Sequence, residues 1–144
     1  MGRYKNSAPA AMGGTKRRPP AAPGKEADLL RSVLKALAAR RVFCWRNNSG
    51  VTVLGVGKSK RVIRGAPAGS PDILGVIPGS DGSLFGLELK TATGRVTDTQ
   101  RDWHERAKAQ GVRVAVARGV SEALQIVDSW IEKASGVLQR EGQR

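Results

Sequence analysis

From Glu26 onward the apolar residues Leu29, Leu30, Val33, Leu34 and Leu37 fall at i, i+1, i+4, i+5 and i+8, which gathers them on one face of a helix. Glu26 lies one turn before Leu30, at the head of that face. Arg40 and Arg41 end the pattern. Residues 42–46 (VFCWR) then read as a strand, and Asn47-Asn48-Ser49-Gly50 as a turn into a second strand, Val51–Leu54. A glycine-rich basic loop, residues 58–69, leads to two further apolar runs, residues 73–77 and Leu84–Leu89. The hairpin formers between them, residues 78–83, predict antiparallel neighbours. Thr97-Asp98-Thr99-Gln100 has the spacing of a capping box and opens a helix on which Gln100, Trp103, His104 and Ala107 share a face. Gly111 closes it, residues 112–117 form an apolar strand, and from Ser121 a last helix turns Leu124, Val127, Trp130 and Ile131 inward. The order α-β-β-β-β-α-β-α predicts an α/β sandwich with a mixed sheet.

Charge narrows the partners. The chain has 144 residues, enough for one domain with a real core, and 25 Lys and Arg against 12 Asp and Glu leave it at +13. Six of the cations and none of the acids fall in residues 1–25, among Ala, Pro and Gly, which predicts a disordered basic arm. The folded domain is expected over residues 26–133, with a flexible tail at 134–144. Between Leu29 and Pro71 stand nine cations and no acid, a positive face. Such a surplus attracts polyanions, of which DNA and RNA are the usual ones. A membrane fits less well, since no apolar run approaches bilayer length and no basic amphipathic helix is evident. The first residues lack the apolar segment of a signal peptide, so a cytoplasmic protein is expected. A single cysteine, Cys44, and a single histidine, His104, exclude a disulfide framework and a metal held by soft ligands. Any metal here is a hard one such as Mg²⁺ or Mn²⁺.

The two central apolar runs carry charges that a plain core would not hold. Alternation along the second run puts Glu88 and Lys90 on one face, with Leu87 and Leu89 on the other. In an antiparallel pair the start of one strand opposes the end of its partner, so Asp72 comes near both. Two adjacent carboxylates repel each other, and Lys90 alone does not neutralise them. A divalent cation does, and the carbonyl of Leu89 is placed to add a neutral ligand. That arrangement suits phosphodiester hydrolysis, with Lys90 orienting water or stabilising charge on the phosphate. A solvated charge pair at a strand edge is the simpler alternative.

Pro71-Asp72 followed by Glu88-Leu89-Lys90 resembles the P-D…(D/E)-x-K motif of the nuclease superfamily of that name. Four further features are similar to the VRR-NUC domain of stand-alone phage and bacterial nucleases. They are the Glu26 helix, the segment Trp45-Arg46-Asn47-Asn48-Ser49-Gly50, Gly69-Ser70 ahead of Pro71, and Gly94-Arg95 followed by Thr99-Gln100-Arg101-Asp102-Trp103. The resemblance spans about residues 26–118. It implies a restriction-endonuclease-like αβββαβ core, a mixed central sheet flanked by helices. It also implies Asp72 and Glu88 as metal ligands, Lys90 as the catalytic lysine, Glu26 as an outer or direct metal contact, and Gln100 positioning Lys90 or the phosphate. The expected activity is a Mg²⁺- or Mn²⁺-dependent DNA endonuclease, selective for branched or four-way junction DNA, acting as a homodimer in a phage or bacterial cytoplasm. A non-catalytic DNA-binding module of the same fold, an RNA-acting nuclease and a restriction-type nuclease are the alternatives. The last normally needs more chain for reading bases.

Arg46, Asn48, Lys58, Lys60, Arg61, Arg64 and Arg95 are the expected DNA contacts. Trp45, on a strand after Val42, Phe43 and Cys44, reads as core, and Cys44 as a small buried hydrophobe. His104 reads as a packed helix residue. Trp130-Ile131 and residues 112–117 offer candidate dimer surface, unless they belong to the core.

Overall fold

The computed structural model describes residues 24–141, so the expected arm lies outside the described residues up to position 23, and Lys25 already belongs to the first helix. In chain order the elements are α1 (Lys25–Ala39), β1 (Cys44–Arg46), β2 (Val51–Leu54), β3 (Arg61–Arg64), β4 (Ile73–Val76), β5 (Leu84–Leu89), α2 (Asp98–Ala109), β6 (Arg113–Ala117) and α3 (Val120–Glu141), with a short 3₁₀ turn, Gly57–Ser59, between β2 and β3. The central sheet has four strands in the order β1-β4-β5-β6. Its first two pairings are antiparallel and the last, β5 with β6, is parallel. This is the mixed sheet flanked by helices that the sequence implied.

One face of the sheet builds the core. Ile73 and Ile77 from the β4 region and Phe85, Leu87 and Leu89 from β5 pack with Leu30, Val33 and Leu37 of α1 and Ala123, Val127 and Ala134 of α3. Full burial of each large aliphatic or aromatic side chain is worth about 1.5–3 kcal/mol, so this layer dominates the stability. The opposite face receives α2, whose Gln100 reaches Glu88. The helix ends are marked by backbone geometry. Arg41 takes φ 57°, and Val42 N–H reaches the Leu37 carbonyl at 3.1 Å. Gly111, φ 84°, stops α2 the same way through Val112 N–H and the Ala107 carbonyl.

The structure differs from the sequence reading in four places. The stretch read as a loop contains β3, which pairs with β2 in a separate two-stranded sheet, Val53 opposite Val62. Helix α3 continues to Glu141, so residues 134–141 are helical rather than a flexible tail, and Ala134 is buried. Trp45 is 41% exposed on edge strand β1, its ring tilted against Phe43, because a strand with a single neighbour leaves its outer side uncovered. Cys44 is half-buried, packed against the core's margin. Of the two segments offered as dimer surface unless core, Trp130 packs against Phe85 and Val114 and Ala117 are buried, while Ile131 and Ala115 are partly buried against the core. No helix among the described residues is long and apolar enough to cross a membrane.

Candidate active site

The register that joins Ile73 to Leu87, carried one residue outward, sets Asp72 opposite Glu88. Opposite residues of an antiparallel pair share a face, so both carboxylates point to the α2 side of the sheet, at the end where β4 begins and β5 finishes. Asp72 is anchored there: its Oδ2 accepts a 2.8 Å hydrogen bond from Leu89 N–H. Glu88 is 1% exposed. Lys90 Nζ lies 2.8 Å from Glu88 Oε1, and Gln100 Nε2 donates to the same oxygen at 2.6 Å. Glu88 Oε2 has no partner among the described residues.

Gln100 does two jobs with one amide. Its Oε1 accepts from Thr97 N–H at 2.9 Å, completing the capping box of α2. With the carbonyl end thus assigned, the NH₂ end is the one aimed at Glu88. The sequence expected Gln100 to position Lys90 or phosphate; the geometry puts it on the carboxylate that Lys90 also holds. Burial pushes the Glu88 carboxyl above its ordinary range; the Lys90 hydrogen bond and charge oppose this, while the nearby charges of Asp72 and Glu26 add to it. An oxygen this deeply buried and unpartnered costs several kcal/mol unless something cationic completes it.

Glu26, Arg46, Asp72, Glu88, Leu89, Lys90 and Gln100 line one cleft of about 340 Å³. Among the described residues no three His, Cys, Asp or Glu side chains gather closely enough to hold a metal between them. Glu26, exposed on the first turn of α1, shares the cleft without completing such a trio. Two carboxylates, a bare buried oxygen and a polar cleft still fit a hard cation. Mg²⁺ characteristically takes only one or two protein carboxylates and keeps waters or phosphate oxygens for the rest.

Residues 25–121 match the family model of the VRR-NUC domain. The chain belongs to the VRR-NUC family. It carries a nuclease-type domain that acts on DNA. No curated protein matches it. In this VRR-NUC chain, Asn48, Lys58, Lys60, Arg61 and Arg64 lie outside the cleft, on the β2–β3 ribbon and its base, and Arg95 is exposed on the connector between Lys90 and α2.

Three positioning groups escaped the sequence reading. Asn47, taken as a turn residue, donates its side-chain amide to Ser70 Oγ at 3.0 Å and to the Pro71 carbonyl at 2.8 Å, and its N–H to the Asp72 carbonyl at 2.7 Å. It pins the segment that delivers Asp72. Gly69 has φ 83°, and a Cβ there would lie 2.8 Å from the Thr99 carbonyl carbon and 3.1 Å from Gln100 N, closer still to the Thr99 oxygen. The absent side chain lets the Asp72 loop meet the start of α2. Arg118 donates through one nitrogen to the carbonyls of Thr91 at 2.7 Å, Gly94 at 2.8 Å and Ala92 at 3.3 Å, bracing the connector from Lys90 to Gln100. Asn47 and Gly69 stood within segments that resemble the VRR-NUC domain, but by themselves they signalled only turns and no positioning role; Arg118 carried no local signal at all. His104 is buried with Nε2 unpartnered, its pKa lowered by burial and the nearby charges of Lys108 and Lys90 despite an opposing pull from Glu105.

Proposed function

We propose that this VRR-NUC protein is a Mg²⁺- or Mn²⁺-dependent endodeoxyribonuclease that prefers branched DNA, such as a four-way junction, and works as a homodimer. The observation that carries the metal-dependent chemistry is Glu88: one oxygen held by Lys90 and Gln100, the other bare, with Asp72 on the same face. Asp72 and Glu88 would hold the ion, with the Leu89 carbonyl as a neutral ligand and Glu26 lining the same cleft. Bound there, it would supply Lewis-acid polarisation of the phosphate and a more acidic water. The chain's own groups do the rest. Lys90 sets an ammonium beside the reacting phosphate, where it offsets the charge that develops as the bond breaks. Gln100 keeps Glu88 from rotating. Arg46, at the rim, gives a phosphate a charge-assisted contact. The branch preference and the dimer rest on the resemblance to junction-resolving nucleases, in which two symmetric cuts call for two sites.

The test is a cleavage assay on labelled linear duplex, single strand, flap and four-way junction, with Mg²⁺, with Mn²⁺ and with excess chelator, alongside light scattering. Product should require the ion and favour the junction, and Asp72→Asn should abolish it while DNA binding persists. Full activity in chelator would sink the metal reading. Binding without product under every ion would leave a DNA-binding module of the same fold.

A further inference from the structure

The β2–β3 ribbon sits apart from the central sheet. Its strands pair only with each other, and its base is tied down by backbone bonds from Gly65 N–H to the Gly50 carbonyl and Ala66 N–H to the Asn48 carbonyl, both 2.8 Å. A two-stranded ribbon alone is marginal in water, and proteins normally cover one of its faces. Among the described residues this one is covered on neither. The register sets Val51, Val53 and Val62 toward one side and Leu54 and Ile63 toward the other. All five are half exposed or more, from Ile63 at 50% to Val51 at 59%, and Val56 beside the turn is 86% exposed. Aliphatic groups so displayed mark a contact surface.

Charge says what the contact is. Lys58, Lys60, Arg61 and Arg64 ride on the ribbon and its turn, and none is in an ion pair among the described residues. The acids Asp28, Asp98, Asp102, Glu105 and Asp128 each already have a cation of their own. A second copy docking ribbon to ribbon would crowd these cations together with no acid between them. A polyanion would neutralise them. The ribbon also follows directly on β1, whose Arg46 lines the active cleft, so one ligand can lie on both.

We propose that the β2–β3 ribbon is a DNA wedge, with Arg61 and Arg64 on flanking phosphates and Val53, Val62 and Ile63 against exposed base faces at a branch point. This rests on reading the neighbouring cleft as that of a DNA nuclease. Aliphatic side chains make no hydrogen bonds to base edges, so with its cations on phosphates the ribbon has little with which to read sequence. Apolar wedges act instead by sitting between base steps, at an unstacking cost. A branch point, where stacking is already interrupted, lowers that cost, and the ribbon thereby supplies the preference for branched over continuous DNA.

The experiment measures equilibrium binding to a four-way junction and to a linear duplex of the same length, without added metal. The junction carries 2-aminopurine at the branch, and the full chain is compared with Val53→Ser/Val62→Ser/Ile63→Ser and with Arg61→Gln/Arg64→Gln. Circular dichroism checks that each variant folds. The serine variant should lose at least about tenfold in its junction-to-duplex affinity ratio, together with the 2-aminopurine change on binding. The glutamine variant should weaken both complexes and flatten the plot of log affinity against log salt by about 1.8, the value for two lost phosphate contacts. An unchanged ratio and fluorescence response in the serine variant would overturn the wedge. So would a dimer turning monomeric with DNA affinity untouched, which would assign the ribbon to a second copy. Wild-type protein that binds neither DNA would overturn the nuclease reading, and the wedge with it.

Discussion

Replacing Gly69 by alanine tests how the two halves of the site are held together. The new Cβ would lie 2.8 Å from the Thr99 carbonyl carbon and 3.1 Å from Gln100 N, backbone atoms that have no rotamer with which to move aside. The residue also has φ 83°, where a side chain costs about 1–2 kcal/mol. Relieving the overlap adds about 1–3 kcal/mol, as for other additions to a packed site, so a loss of about 2–5 kcal/mol is expected. The relaxation must separate the Asp72 loop from the start of α2 by several tenths of an ångström or more, drawing Gln100 from Glu88. Misplacement of that order in a catalytic constellation costs up to about 100-fold in rate. Gly82→Ala is the control: φ is 98°, but nothing lies within 4 Å of its Cβ, so only the backbone term applies. Urea unfolding and initial cleavage rates of the two variants decide the matter. If Gly69→Ala unfolds and cleaves like Gly82→Ala, the close approach does not position the site.

Lys90→Ala should lower the cleavage rate by more than about tenfold while metal affinity, measured by calorimetry, holds, since the ammonium acts on charge that develops in the reaction; Lys90→Arg should recover only part of it, a planar guanidinium being a poor substitute for a compact ammonium. Arg118→Ala should reduce kcat more than KM by loosening the connector between Lys90 and Gln100, and hydrogen exchange there should quicken; unaltered exchange at residues 91–97 would contradict the bracing role. Without metal, Glu88→Gln should gain stability relative to wild type as pH rises. Above the ordinary carboxyl value of 4.5, the unfolded chain releases this proton while folded Glu88, its pKa raised, retains it, so wild-type stability falls until the raised value is passed and is level thereafter. Urea midpoints of both proteins from about pH 4 to about pH 8 that run parallel would remove the buried-charge account, each tenfold change in acid constant being worth about 1.4 kcal/mol.

The spatial arrangement of the candidate site was largely legible because its residues obey short-range rules. Glu88 and Lys90 share a face by strand alternation, Asp72 joins them by antiparallel order, and Thr97 and Gln100 announce the helix that completes the set. What the sequence hid depends on tertiary approach or on exposure. Strand β3 reads Arg-Val-Ile-Arg among glycines and cations, and with both faces exposed it lacks the burial alternation that marks a strand. Trp45 looked like core because aromatic residues on strands usually are, yet edge position decides its exposure. Arg118 meets the 91–94 connector from more than twenty residues away, so nothing near it in sequence advertises the contact.

Gln100's shared amide makes the opening of a helix end and the release of Glu88 one and the same event. Helix termini fray, and a cap worth about 1 kcal/mol would by itself leave the first turn open in roughly one molecule in six. In this protein each such opening also releases the Gln100 bond to Glu88 and leaves that carboxylate oxygen to Lys90 alone. Temperature and denaturant, at doses far below those that unfold the domain, should therefore loosen the hold on Glu88 through this turn.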